Sequence, residues 1–257
     1  MTVKQSAVGV VLIGALIGGG VLRADAQNAC KDLPPYSALR DALIAAQGQA
    51  NGGFGLEMWA TVVNRDGIVC AVAFTGGDRG DQWPGSRVIS AQKANTANAF
   101  SLPGLALSTA NLFTAVQPGG SLYGLQHSNP VNTDVAYGGS PTNYGRPNDP
   151  MVGGRIGGVN VFGGGLALYN SNKLVGAIGV SGDSSCADHN IAWRTRNTLG
   201  LDYVPNGISG DAARPDNIVY DITPQPGQMP GVSASGWGHP ACSPAATAIA
   251  AALPPTK

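Results

Sequence analysis

The sequence predicts a single α+β domain in which one antiparallel sheet is flanked by helices. Two observations carry this. Apolar spacing alternates between helical and extended periods in the order helix, hairpin, helix, hairpin, helix. Both hairpins turn through short polar stretches, which places their strands antiparallel. No convincing internal repeat divides the chain, and GVSGD at Gly179–Asp183 and GISGD at Gly207–Asp211 are read as coincidence.

The first 26 residues are expected to stand apart from the fold. Lys4 precedes an apolar run from Ala7 to Leu22, and Ala24-Asp25-Ala26 follows, which is the pattern of a secretory signal peptide cleaved after Ala26. The run is too short, and too rich in Gly14, Gly18, Gly19 and Gly20, for a spanning helix. Residues 27–257 would then form the mature domain, periplasmic or secreted, with no membrane partner.

Pro34-Pro35 leads into the first helix, where Tyr36, Leu39, Leu43 and Ala46 share a face and Gly48 offers a stop. Two apolar stretches around Asn64-Arg65-Asp66-Gly67 predict a hairpin. Ser86 is a candidate cap for a second helix over Arg87–Phe100. From Leu102 to about residue 156 the periodicity collapses into a segment dense in Gly, Pro, Asn and Ser, and an ordered insert is expected because Tyr123, Leu125, Tyr137, Tyr144 and Met151 could anchor it. A second hairpin turns at residues 170–173, and its second strand, Leu174–Val180, is apolar on both faces and so central. A third helix ends near Asn197. The extension over 200–257 is read as irregular, with DNIVYDI (Asp216–Ile222) as a short edge strand.

Composition excludes some functions. Without the leader, 13 basic and 14 acidic residues leave a net charge of −1, so nothing favours nucleic acid or an anionic surface as partner. Four cysteines in an exported chain favour two disulfides, for which three connectivities exist; Cys30–Cys70 and Cys186–Cys242 is the expected one. A four-thiolate metal site would lack any CxxC pair.

Chemistry concentrates in GVSGDSSCADHNIAWRTR (Gly179–Arg196). Ser181 has a nucleophile-elbow setting, but Asp183 stands where that motif needs glycine, which argues against a hydrolase. Ser184 or Ser185 is expected to cap the helix, with Asp188 in a capping-box position. His189 is unexplained by capping. With His127 and His239 it makes a candidate haem or metal ligand set, and a Cys186–Cys242 bridge would bring His189 and His239 close together. Lys93 is read as an exposed helical lysine, and Arg79-Gly80-Asp81 as a glycine turn rather than an adhesion signal. Gly163-Gly164-Gly165 does not fit a dinucleotide fingerprint.

SAQKANTANAF in helix two, together with GGVNVF and LYNSNKLVGAIGVSGDSSCADHNIA, resembles the GlcG/HbpS-like haem-binding family, with a common core over about 36–100 and 157–197. The resemblance implies a profilin-like α+β fold, a homo-oligomer and a haem or tetrapyrrole ligand. By position, Lys93 and Thr96 match the family's helix-two lysine and threonine, and Asp188 its helix-opening acid. The insert, the cysteines and the tail are departures, so the family supplies no axial ligand. Thr96, His127, His189 and His239 are therefore the candidate cofactor-binding residues. The alternative is an enzyme acting on a small organic acid or aromatic compound. In that reading Asp188 and His189 would be acid/base groups, Lys93 or Arg79 would orient a carboxylate, and the histidines could hold zinc or copper.

Overall fold

The structure is a computed structural model that describes residues 28–171 and 173–257, apart from the side chains of Gln228 and Met229; the expected leader over 1–26 lies outside the described residues. Four strands, β1 (Trp59–Asn64), β2 (Val69–Phe74), β3 (Gly165–Asn170) and β4 (Lys173–Ser181), form one antiparallel sheet in the order β2-β1-β4-β3. The two hairpins are joined through β1 and β4, which pair from Trp59 with Ser181 to Asn64 with Gly176. Asn64 closes the first turn by accepting from the amides of Asp66 (3.0 Å) and Ile68 (2.9 Å).

Strand alternation divides the core in two. Ala60, Val62, Leu166, Leu168, Ile178 and Val180 pack against α1 (Tyr36–Gln47) and α3 (Ser185–Thr198). The opposite face presents Trp59, Val63, Val72, Phe74 and Ala177 to α2 (Ser86–Phe100). Small residues decide how closely α2 lies. Its Ala91, Ala94 and Ala97 are fully buried, and opposite them Gly179 has no side chain. A Cβ at Gly179 would lie 1.9 Å from the Ser90 carbonyl oxygen, so the helix rests directly on the strand backbone.

The structure corrects three expectations. The insert is not devoid of regular elements: 3₁₀ turns form at Thr109–Leu112, Thr114–Val116 and Pro141–Asn143, and single helical turns at Leu125–Ser128 and Thr133–Tyr137. Residues 216–221 form no strand. The strands of the tail are β5 (Ile222–Gln225) and β6 (Gln228–Ser233), a separate two-stranded sheet. Side-chain bonds hold the segment before them instead: Asp216 pairs with Arg196 and Asn217 donates to the Ala250 carbonyl. Finally, the tail ends in a further helix, α4 (Pro244–Ala251), capped by Ser243 and packed against α3.

Two disulfides, Cys30–Cys70 and Cys186–Cys242, brace the ends of the chain as expected. The insert is fixed differently. Arg87 of α2 bonds Asp149 with two nitrogens, Nε at 2.9 Å and Nη2, and gives Nη1 to the Ala136 carbonyl at 2.8 Å. Asp149 also accepts from the amides of Gly145 (2.6 Å) and Met151 (2.8 Å), and the Tyr144 ring lies 3.6 Å from the guanidinium.

Candidate functional site

Lys93 and Asp188 meet 95 residues apart in the chain. Lys93 leaves the sheet-facing side of α2, and Asp188 sits in the first turn of α3; Nζ and Oδ2 are 2.7 Å apart, with the side chains 2% and 3% exposed. This overturns the exposed-lysine reading. Nζ also donates to the Val180 carbonyl at 3.1 Å. Asp188 is not the partner of a Ser185 cap. Ser184 is the cap, accepting from Ala187, while Asp188 Oδ1 reaches back to the Asp183 amide at 2.8 Å. Burial raises the Asp188 carboxyl to about 6 even beside the ammonium, because desolvation outweighs the attraction.

The three glycines over 163–165 make this burial possible. A Cβ on Gly164 would lie 2.3 Å from the Val180 carbonyl, 3.0 Å from the Asp188 Cβ and 3.2 Å from the Lys93 Nζ; one on Gly163 would meet the Ser185 carbonyl at 2.3 Å. The backbone therefore crosses directly over the ion pair. Asp183, next to the pair, accepts from the amides of Phe54, Gly55 and Leu56 at 2.9 to 3.2 Å and so fastens the loop before β1. Sequence reasoning gave Asp183 no such role, since its partners lie almost 130 residues away. Thr96 is buried, donates to the Gln92 carbonyl at 2.7 Å and accepts from the Asn160 amide at 3.0 Å.

The histidines do not converge. His189 is 0% exposed, with Nε2 3.1 Å from Asn217 Oδ1 and 3.2 Å from the Ile218 amide; Nδ1 has no partner among the described residues. His239 is 2% exposed, Nδ1 lies 2.8 Å from the Pro240 carbonyl and Nε2 3.3 Å from Ser185 Oγ. The Cys186–Cys242 bridge does draw both towards one segment, since the His239 amide bonds the Val219 carbonyl. Burial lowers both imidazoles to about 4, so both are neutral at pH 7. His127 is exposed in the insert. Among the described residues no group of three His, Cys, Asp or Glu side chains is placed to hold a metal ion, so the three-histidine metal centre is not assembled.

Arg79 lies elsewhere, on a cavity of about 430 Å³ between the start of α2 and the insert. Trp59, Pro84, Val88, Tyr137, Pro141 and Tyr144 provide its apolar surface, with Asp78 and Arg87 also lining it. Trp59 and Arg87 were not expected there from sequence. Their approach depends on the Arg87–Asp149 pair that docks the insert.

The sheet, its helices on both faces and the buried pair between α2 and α3 define an α+β protein with a docked insert and tail. The chain belongs to the family described as Haem degrading protein HbpS-like, whose model matches residues 36–196. No curated protein matches it in sequence. Among solved structures it is similar to a PduOC:heme complex, at 23% identity over 65% of this chain and 94% of that one, with a TM-score of 0.46. It is also similar to Klebsiella pneumoniae protein ORFY of DUF336, at 20% identity over 77% and 97% of the two chains and a TM-score of 0.40. HbpS follows at 18% identity over 65% and 89%, with a TM-score of 0.40.

Proposed function

We propose that the protein is an exported, homo-oligomeric binding protein, periplasmic or secreted, whose ligand is haem or a related tetrapyrrole. The observation that carries this reading is the family match over residues 36–196, which spans the whole four-stranded sheet, α1, α2 and all but the last two residues of α3. Two disulfides support export, because such bonds persist in oxidising compartments. Among the described residues no helix is long and apolar enough to cross a membrane.

The histidines fit a haem unequally. His189 and His239 are enclosed and already bonded through Nε2, so neither presents a donor to a ligand without opening the core. His127 is exposed, and of the three histidines it is the one that would offer a nitrogen to the iron of a bound haem. Bound haem would supply the iron chemistry. Lys93, Asp188 and Thr96 would act indirectly in this reading, by fixing α2 and α3 against the sheet.

Titration with hemin tests it. The native protein should shift the Soret band and His127→Ala should lose the shift, while His239→Asn keeps it. A native protein that leaves the hemin spectrum unchanged refutes haem binding, and an unchanged shift in His127→Ala refutes the assignment of the donor.

A further inference from the structure

We infer that the cavity between the start of α2 and the insert is a binding site for a flat aromatic monocarboxylate. The site is independent of the haem reading, since none of the three histidines lines it. Its size, about 430 Å³, falls within the range of small-molecule sites. Trp59, 1% exposed, is the fixed floor beneath the cavity, with its indole N–H bound to the Trp83 carbonyl at 3.1 Å and its ring edge-on to Phe74, and Tyr137 is the exposed ring at the cavity. The Tyr144 ring is held against Arg87, and its hydroxyl donates to the carbonyls of Tyr137 (3.1 Å) and Gly138 (3.3 Å). Walls of aromatic rings and prolines favour a planar apolar body over a flexible polar one.

Charge selects the acid. Arg87 has its guanidinium committed to Asp149 and the Ala136 carbonyl, so it offers no free charge. Arg79 is different: its side chain is 46% exposed and donates no hydrogen bond among the described residues. Its nearest carboxylate oxygen, on Asp78, is 3.7 Å away, and the other oxygen of Asp78 accepts from the Gly80 amide at 2.9 Å. That ion pair is loose and leaves every guanidinium N–H without a hydrogen bond among the described residues, and a planar guanidinium so placed is matched to a carboxylate that can approach within hydrogen-bond distance. Asp78 on the same lining disfavours a second negative charge on the ligand, which limits it to a monoacid.

Calorimetric titration of the full disulfide-bonded protein with naphthoate, naphthol and cyclohexanecarboxylate tests the assignment. Naphthoate should bind saturably, and cyclohexanecarboxylate about tenfold more weakly for want of a flat ring. Arg79→Ala should weaken naphthoate about tenfold, the loss of one charge-assisted contact, and leave naphthol unchanged. Tyr137→Ala should weaken both naphthalenes. Arg79 and Tyr137 are both exposed, so circular dichroism should show each variant folded. Absence of saturable naphthoate binding, or equal affinity in native protein and Arg79→Ala, overturns the proposal. Hemin spectra in the same variants report separately on the haem reading, and Arg79→Ala should not alter them.

Discussion

Acid should weaken this protein through two imidazoles that never reach solvent. His189 and His239 are buried neutral, with their pKa values lowered from 6.5 to about 4. A base whose folded pKa is depressed contributes stability that is present above 6.5 and lost as pH falls towards 4, because only the unfolded chain takes up the proton readily. Between pH 7 and pH 4 each imidazole accounts for a loss of about 3 kcal/mol. Asp188 works the other way. Its pKa is raised from 3.8 to about 6, so its ionisation penalises the folded state at pH 7, and that penalty is relieved as the carboxyl protonates below 6. The relief is about 2 kcal/mol by pH 4. The net expectation is a fall of about 3–4 kcal/mol, a large part of the stability of an ordinary domain. Urea unfolding followed by tryptophan fluorescence at pH 7, 5.5 and 4 measures it. His239→Asn should flatten the profile by about the share of one imidazole. Stability that is constant across this range, or that rises towards pH 4, would refute the assignment of buried neutral histidines.

Three further expectations concern the framework. Lys93→Met should cost about 3–5 kcal/mol in urea unfolding by leaving the buried Asp188 carboxyl without its partner, and Lys93→Met with Asp188→Leu should recover much of the loss; a double variant no more stable than the single one would contradict this. Gly179→Ala should cost about 2 kcal/mol or more, since its methyl would occupy space 1.9 Å from the Ser90 carbonyl and 2.5 Å from the Ala94 nitrogen; thermal melting reads the effect directly. Paired replacement of Cys186 and Cys242 by serine opens a 56-residue separation and should cost about 4 kcal/mol, with limited proteolysis first releasing the tail.

Periodicity revealed the helices and hairpins because each signal is local. α1 repeats its apolar positions every three or four residues, and β4 is an unbroken apolar run that only a central strand explains. The site was less legible. Lys93 looked like any helical lysine, since nothing in its own neighbourhood reveals a partner 95 residues on or a glycine backbone covering it. His189 looked like a ligand for the same reason: Asn217, which occupies its Nε2, lies in a segment whose apolar alternation imitates a strand. α4 escaped notice because its small residues carry little moment, although Ser243-Pro244 is a proper start signal. For Lys93 and His189 the deciding contact joins distant parts of the chain, which residue patterns do not encode.

The Arg87–Asp149 pair has a kinetic consequence for whatever occupies the neighbouring cavity. With both partners at most 2% exposed and Asp149 also bonded to two backbone amides, the wall carrying Tyr144 is fastened to α2 before any ligand arrives. Recognition then follows from a preformed shape, with little loop ordering to oppose it. Encounter should be a single bimolecular step whose observed rate rises linearly with ligand concentration, and selectivity should reside in how long the ligand stays.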